Sequence, residues 1–488
     1  MTGELMLIAA LIIPLVGAFG IVLSGRYPNQ REAITLVTAV SLMGVVWSML
    51  PAAMVGEFPE LELFDVLPGV PIAFRLEPLG LLFACLASLL WIVNSIYSIG
   101  YMRGNNEKHQ TRFYALFAVS LWGVMGIAFA ANLLTLFIFY EVLTLCTYPL
   151  VTHKGDRKAL TSGRVYLGIL MGASIFLLLP AIIWTYLATG TLEFRLGGIL
   201  EGNLTGPAVG VMLALYVFGT AKAAVMPLHR WLPAAMVAPT PVSALLHAVA
   251  VVKAGVFTVA KVILYVFGVD FLFPQPSAGW LVPVAALTVV LASVVALQQT
   301  NLKRLLAYST ISQLSYVVMA TAVLTPLSEI GAAIHMVAHA FGKITLFFAA
   351  GAIYTASKKT EVTQLRGIGK RMPLTMTAFF IGALSMIGVP PTAGFVSKWY
   401  ILAGAFQSDN LIVIFTVIAS TALNAAYFLP IVFRAFFRDE DVAPPKDHGE
   451  ANLPIVLALV TTALLTLTLF IFNQPFVDLE TQLVEVSP

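Results

Sequence analysis

Charged residues are scarce in this chain of 488 residues, where Asp, Glu, Lys and Arg together make up 10% of the sequence. Soluble domains average about 25% of such residues. Apolar residues make up 59%, the mean hydropathy is +0.92, and apolar runs recur from one end to the other. This composition excludes a soluble enzyme core and predicts a polytopic membrane protein built from α-helices.

Cysteine is nearly absent, and so are the motifs of common cofactor-binding domains. The two cysteines, Cys85 and Cys146, both lie in apolar runs, which argues against a disulfide or an iron–sulfur ligand set. No GxGxxG, Walker A or CxxC pattern occurs in the sequence. We therefore expect no cofactor on this chain.

Long apolar runs are abundant, and we count fourteen that can cross a bilayer as helices. The first follows Glu4 rather than a basic region, so we expect a membrane span there and not a cleaved signal peptide. The runs lie near 5–23, 34–55, 78–101, 113–130, 133–152, 163–188, 207–226, 241–266, 279–298, 303–325, 327–355, 374–407, 410–436 and 454–474.

Prolines interrupt two of these predicted helices. The run 374–407 carries Pro390 and Pro391, and the stretch 227–240 after the seventh span carries three prolines. We predict that helices 7 and 12 are broken at these points. Because lipid does not tolerate unpaired backbone groups, such breaks should lie inside the protein or beside a cavity.

Basic residues are distributed very unevenly among the predicted loops. Of the 27 Lys and Arg residues, 20 lie in or beside loops after odd-numbered spans, five lie within spans, and only Arg75 and Arg195 lie on the opposite side. Cytoplasmic loops carry the excess of positive charge. We therefore expect both termini to face outward, from a bacterial or archaeal inner or plasma membrane.

Two blocks of five spans look related, namely spans 4–8 and 9–13. Each block contains a broken helix with a lysine nearby: Lys222 lies five residues before Pro227, and Lys398 lies seven residues after Pro391. Consecutive blocks with an odd number of spans are inverted in the membrane, which is typical of transporters. The predicted units are a three-helix region with an acidic outer loop that forms a cap or hairpin, two repeats, and a C-terminal helix and tail, at 1–112, 113–266, 279–436 and 454–488.

Nine titratable side chains stand out inside the predicted spans. Each charge at the bilayer centre costs about 2.5–3.5 kcal/mol on insertion scales, so a protein retains such groups where they face its interior and act there. Five are lysines, one is a mid-span acid in "FIFYEVLTL", and three are histidines: Lys222, Lys253, Lys261, Lys343, Lys398, Glu141, His247, His335 and His339.

Purely structural interpretations of some of these groups stay open. Lys261 lies near the outer end of its span and could extend its ammonium group to the interface. His247 could be a hydrogen-bonded packing residue, and Glu141 could form a static pair with one lysine. Five lysines against one acid nevertheless indicate a chain of bases and not a set of closed salt bridges.

The stretch "IHMVAHAFGK" admits a metal site as an alternative. His335 and His339 are four residues apart, a spacing that can ligate zinc. Position 336 is Met instead of the glutamate of that motif, however, and Lys343 on the same helix face would repel a cation. We therefore expect no metal site. Burial disfavours the charged forms of lysine and glutamate alike, so a row of such groups can exchange protons near neutral pH.

Four segments resemble the antiporter-like subunits of respiratory complex I, membrane-bound hydrogenases and Mrp sodium/proton antiporters: "YVFGTAKAAVMPLHRWLPAAMVAPTPVSALLHAVAVVKAGVF", "NLKRLLAYSTISQLSYVV", "HMVAHAFGKITLFFAAGAI" and "GVPPTAGFVSKWYIL". The resemblance covers nearly the whole chain and is dense from about 133 to 400. It implies that Glu141 pairs with Lys222 and that Lys398 is the last base of a proton relay. It assigns positions in the relay between Lys222 and Lys398 to five residues: His247, Lys253, His335, His339 and Lys343.

The resemblance also implies that the protein functions within a multi-subunit complex, beside other antiporter-like subunits and small membrane subunits. The chain lacks the long C-terminal extension expected of an L-type subunit, and Lys398 stands where the M-type typically has Glu. These features leave a resemblance to the D-type subunit of Mrp antiporters or to the N-type subunit of complex I. The leading hypothesis is a proton-translocating subunit similar to the D-type subunit of Mrp antiporters, and the alternative is the same module in a redox-driven complex. A free-standing solute carrier and a transport-inactive scaffold are further hypotheses. One mid-span carboxylate does not favour a sodium site in this chain, because hard cations take several oxygen ligands.

Overall fold

A computed structural model describes residues 2–440 and 449–485, with all side chains in these ranges except those of residues 67, 247, 248, 480 and 482–485. Nearly all of this part is helical. The N-terminal half contains α1 Gly3–Leu23, α2 Pro28–Trp47, α3 Leu50–Met54, α4 Pro78–Gly104, α5 Gln110–Ala128, α6 Leu133–Val151, α7 Arg157–Ala173, α8 Leu179–Thr189, α9 Pro207–Gly219, α10 Trp231–Ala234 and α11 Thr240–Leu245.

The C-terminal half continues in the same way. It contains α12 Val251–Val262, α13 Val269–Leu272, α14 Leu281–Leu297, α15 Leu302–Thr321, α16 Pro326–Ser357, α17 Ile368–Arg371, α18 Pro373–Ile387, α19 Ala393–Gln407, α20 Leu411–Phe437, α21 Leu453–Ile471 and α22 Gln474–Glu485. Short 3-10 turns lie at Ala221–Ala223, Ala235–Val237, Pro276–Ala278 and Val362–Leu365, and π-helical turns lie at Ser174–Leu178, Leu246–Ala250 and Ile263–Phe267.

The all-α polytopic fold class is confirmed. Within the described ranges, ten helices are long and apolar enough to cross a membrane. Two further apolar helices, α9 and α18, are shorter because each stops at one of the predicted breaks. The predicted eighth span is a run of α-helical and π-helical turns from Thr240 to Phe267, and the tenth is α15. Each of the fourteen apolar runs therefore corresponds to a helical segment.

The acidic loop predicted as a cap or hairpin forms a β-hairpin. Strands β1 Glu60–Leu67 and β2 Val70–Arg75 pair antiparallel. The backbone amide of Arg75, at the end of β2, donates a hydrogen bond of 2.7 Å to the Phe129 carbonyl oxygen in the α5–α6 connection. The Arg75 guanidinium also pairs with Glu193 at 2.7 Å. Partial burial raises the pKa of Glu193, but hydrogen bonds from Arg75 and Arg195 outweigh this effect, so that pKa lies below its usual value.

Both predicted helix breaks are present, but the first begins at Gly219, ahead of the predicted stretch 227–240. Helix α9 ends at Gly219 and continues only as a 3-10 turn before Ala224, which has a left-handed φ of 56°. Helix α18 ends at Gly388, with φ of 86°, and the chain resumes as α19. The first break is buried from Gly219 to Ala224, although Pro227 is exposed on the isolated chain. In the second, Pro390 and Pro391 are exposed on the isolated chain, although the following turn that carries Lys398 is buried.

Helix α16 forms the centre of the molecule. It has 32 residues, starts with a capping box between Thr325 and Ser328, and is buried throughout its most apolar stretch. It packs against α15, α18, α19 and α21. A helix surrounded by other helices presents no face to lipid, so titratable side chains on α16 must find partners inside the protein.

Candidate functional site

Most of the titratable side chains predicted inside the spans are buried, and Glu141 is half-buried. Lys222, Lys253 and Lys343 are fully buried and Lys398 is 4% exposed, while His335 and His339 are similarly enclosed. His247 belongs to the π-helical turn Leu246–Ala250, but its side chain lies outside the described set, so its predicted role stays a prediction. Burial of so many basic groups is costly, which makes their partners the central question.

Lys222 occupies the first helix break. Its Nζ donates to the Tyr140 carbonyl oxygen at 2.9 Å and to the Thr144 hydroxyl at 2.6 Å, both on α6. The ammonium also lies 3.1 Å from the centroid of the Tyr140 ring, a cation–π contact. Helix α6 thus supplies neutral oxygen and aromatic partners, which the sequence reasoning did not identify.

Glu141 lies on α6 beside these partners, but its carboxylate does not touch Lys222. No ion pair within 4.0 Å joins the two side chains, and neither Glu141 oxygen has a hydrogen-bond partner in the described part of the chain. Glu141 nevertheless directly follows Tyr140, whose carbonyl oxygen accepts from Lys222 Nζ at 2.9 Å. The two groups are therefore near each other with a gap between them, and their predicted pairing stays a prediction.

Helix α12 brings Lys253 towards the centre of the molecule. The helix packs closely against the first break at Gly255. A Cβ atom on Gly255 would lie 2.2 Å from the backbone nitrogen of Ala223. The Lys253 Nζ is buried without a hydrogen-bond partner among the described residues. The π-helical turn Leu246–Ala250, which directly precedes α12, packs against α16, so this segment lies between the first break and α16.

The three groups of the "IHMVAHAFGK" stretch lie along α16, as the spacing predicts. The rings of His335 and His339 have centroids 6.3 Å apart. Lys343 donates to the hydroxyl of Ser309 on α15 at 2.8 Å. His335 Nδ1 lies 2.9 Å from the hydroxyl of Ser397 on α19, the residue before Lys398. The three side chains on α16 thus contact α15 at one end, through Lys343, and α19 beside the second helix break at the other end, through His335.

Lys398 binds the end of the broken helix α18. Its Nζ donates to the carbonyl oxygens of Met386 at 3.1 Å and Ile387 at 2.8 Å, and to the Thr421 hydroxyl of α20 at 3.2 Å. The last carbonyl groups of a helix lack partners within the helix and carry partial negative charge. The break therefore creates the acceptors that stabilise a buried lysine.

Lys261 has a partner that the sequence reasoning missed. Its Nζ is fully buried, lies 2.9 Å from a carboxylate oxygen of Glu77, and donates to the Ala130 carbonyl oxygen at 2.6 Å. The interpretation that Lys261 reaches the interface is therefore wrong, and the one mid-span acid is not the only acid available to the five lysines. Glu77 directly precedes Pro78 and the start of α4, so a count restricted to apolar runs left it out.

We predict that Gly388→Ala lowers the stability of the protein. Gly388 has φ of 86°, and a Cβ atom there would lie 2.5 Å from the Cδ atom of Lys398. A left-handed alanine costs about 1–2 kcal/mol, and the clash with Lys398 adds to this. Thermal unfolding of the detergent-solubilised protein measures the loss.

The matched control for this prediction is Gly168→Ala, because a Cβ atom at Gly168 meets nothing within 4 Å and alanine is favoured in a helix. Equal unfolding temperatures for the two variants would contradict the proposed requirement for glycine.

Comparison with known proteins agrees with this architecture. The N subunit of the NADH-quinone oxidoreductase of Desulforudis audaxviator is 32% identical over 393 residues, covering 80% of this chain and 76% of the relative. A chain of the Mrp complex from Dietzia sp. DQ12-45-1b has a TM-score of 0.87 at 22% identity, with 99% of this chain and 97% of that chain covered.

A third similar protein is a chain of the archaeal membrane-bound sulfane sulfur reductase, described as a respiratory membrane complex. Its TM-score is 0.85 at 24% identity, and the match covers 98% of this chain and 96% of that chain. At such low identity the two solved structures show a shared fold.

Broken helices with buried bases beside them place the chain in the class of multi-pass membrane transport proteins. The family model described as "NADH:quinone oxidoreductase/Mrp antiporter, TM" matches residues 130–424, which is more than half of the chain. The chain belongs to this NADH:quinone oxidoreductase/Mrp antiporter family.

Proposed function

We propose that this chain is a proton-translocating subunit in a multi-subunit membrane cation/proton antiporter, equivalent to the D-type subunit of Mrp antiporters. The observation that carries the proposal is the set of buried basic side chains at and between the two helix breaks, from Lys222 through α16 to Lys398. Buried groups of this kind mark proton relays in membrane proteins.

In the proposed mechanism, protons enter beside the broken helices and load Lys222 or the His247–Lys253 region. The gap between Glu141 and Lys222 is the switch. When it closes, the charged pair is stabilised, and when it opens, the proton moves on through the groups of α16. Lys398 then exchanges the proton with the opposite channel or with the next subunit.

The proposed setting is a bacterial or archaeal inner or plasma membrane, with both termini outside. The strong bias of basic residues to one set of loops supports this orientation. We further propose that the two five-span repeats are inverted relative to each other and that neighbouring antiporter-like and small membrane subunits complete the complex. Sodium, where it is exchanged, passes through a partner subunit.

A second candidate is the same proton module in a redox-driven complex. The similarity to the N subunit of an NADH-quinone oxidoreductase favours it. In that case the redox centres lie on other chains, since this sequence has no cofactor motif.

One purification distinguishes the two candidates and tests both. The intact complex is isolated from its native membrane, its absorbance spectrum is recorded, and it is reconstituted into liposomes with a pH-sensitive dye inside. The antiporter proposal predicts proton movement driven by a sodium gradient and no flavin or iron–sulfur absorbance. A complex that carries these chromophores and moves protons only with a reductant is the redox-driven machine. Absence of any proton movement would contradict both candidates.

A further inference from the structure

A cavity of about 710 Å³ lies on the side of the protein that carries the basic loops. It is lined by the start of α7, the segment 233–238 after the first helix break, the start of α15, and the last turns of α4 and α16. Small-molecule sites in proteins have volumes of about 300–1,000 Å³. None of the buried bases from Lys222 to Lys398 lines this cavity, so it is separate from the relay.

Basic side chains outnumber acidic ones in the lining of the cavity. Four are basic and two are acidic, which leaves a formal excess of two positive charges: Lys154, Lys158, Lys303, Arg304, Asp156 and Glu361. In the described ranges, no carboxylate oxygen lies within 4.0 Å of any of the four basic groups. A cleft with an excess of one sign of charge concentrates ions of the opposite sign. The cavity therefore favours an anion and disfavours a metal cation.

The two acids are used by the ends of helices and turns. Asp156 caps α7, where its side chain accepts from the Ala159 amide at 2.7 Å. Glu361 accepts from the side-chain amide of Asn301 at 3.0 Å, and Asn301 in turn caps α15. Both carboxylates thus have local partners, and the basic side chains remain available to a ligand.

Lys303 is the most enclosed of the four basic residues. It is half-buried, whereas Lys154, Lys158 and Arg304 are exposed. Its Nζ donates to the Ala238 carbonyl oxygen at 2.6 Å, and no second acceptor is found in the part of the chain that the structure describes. Because an ammonium group has three N–H donors, two of them remain for a bound anion.

We propose that this cavity binds a phosphate-bearing anion, supplied by a soluble phosphate compound or by the head group of an anionic phospholipid. A phosphoryl group carries a charge of about −1.5 to −2 at pH 7 and three strong acceptor oxygens. These match the excess of positive charge and the remaining donors of Lys303. The hydroxyl groups of Ser162, Thr300 and Thr360 line the same cavity and add donors.

Both sources of the phosphoryl group are chemically reasonable at this place. Basic pockets between transmembrane helices on the cytoplasmic side can hold lipid head groups, and soluble phosphates reach a cavity that opens beside exposed loops. The inference does not depend on the proposed proton translocation, because binding is measured without transport.

The first measurement is calorimetric titration of sodium pyrophosphate into the intact complex, purified in a neutral detergent at low salt. Citrate, a carboxylate anion of similar charge, serves as the comparison ligand and should bind more weakly. The double variant Lys158→Gln/Arg304→Gln should bind pyrophosphate at least about tenfold more weakly than the original protein, because hydrogen bonds between charged groups are among the stronger ones. Thr300→Trp, which fills part of the cavity without changing its charge, should also weaken binding.

The matched control is Arg26→Gln/Lys108→Gln. It also removes two exposed positive charges, but neither residue lines the cavity. This variant should bind pyrophosphate like the original protein. Equal weakening in the two double variants would show attraction to the overall charge of the protein, and it would overturn the proposed site.

The second measurement tests the lipid source by native mass spectrometry of the complex purified from its membrane. A lipid head group in the cavity predicts a bound anionic phospholipid that the Arg26→Gln/Lys108→Gln variant retains and the Lys158→Gln/Arg304→Gln variant loses. A soluble phosphate predicts no such difference in lipid, together with cavity-dependent binding of pyrophosphate in the calorimeter. The proposal is overturned if neither measurement shows binding that depends on the cavity, or if citrate binds as tightly as pyrophosphate.

Discussion

Lys222→Met in the assembled complex should abolish gradient-driven proton movement, a loss of at least about 10²-fold. Methionine is similar in length to the lysine side chain and fits an apolar pocket. It can neither carry a proton nor compensate the negative charge of Glu141. Glu141→Gln should have a comparable effect, because the amide removes the charge that is proposed to pair with Lys222. The measurement is dye-reported proton uptake into liposomes per assembled complex.

Two control variants make this result specific. Lys108→Met removes a lysine from an exposed loop and should transport like the original protein. Thr144→Val removes one of the hydrogen bonds of Lys222, at 2.6 Å, while the lysine keeps its carbonyl and aromatic partners, so the expected loss is smaller than for Lys222→Met. Undiminished transport by Lys222→Met or Glu141→Gln would contradict the relay.

The fold was predictable from the sequence to the level of its membrane segments. Apolar runs are a strong signal because the bilayer sets their length. Pro390 and Pro391 located the second helix break, whereas the first begins at Gly219, ahead of the prolines that predicted it. The bases were also predictable, since a lysine inside an apolar run stands out against its neighbours. The spacing of His335, His339 and Lys343 correctly placed them along one buried helix.

The partners of these bases were not predictable, for physical reasons. Tyr140, Thr144, Ser309 and Thr421 are neutral hydroxyl-bearing residues, and such residues are common in membrane helices without any role in transport. Carbonyl groups such as that of Ile387 exist at every position, and only a helix end makes them available. Contacts of this kind depend on which helices pack against each other, and the sequence alone does not show which helices do so.

Lys261→Met should lower the stability of the protein by about 3–5 kcal/mol, because it leaves the buried Glu77 carboxylate without its partner at 2.9 Å. Glu77 precedes α4 and Lys261 lies on α12, while the Ala130 carbonyl that Lys261 also binds precedes α6. The pair therefore holds three helices together at the hairpin end of the molecule. Thermal unfolding and the yield of assembled complex measure the effect.

The double variant Lys261→Met/Glu77→Gln decides whether the pair is a structural clamp or a further member of the relay. Replacing both charges removes the uncompensated carboxylate, and exchanging a buried ion pair for neutral groups is often close to neutral in stability. A structural clamp therefore predicts that the double variant regains most of the lost stability and transports protons at a rate near that of the original protein. A double variant that is stable but inactive would instead place Glu77 and Lys261 on the proton pathway, because restored packing cannot replace groups that carry protons.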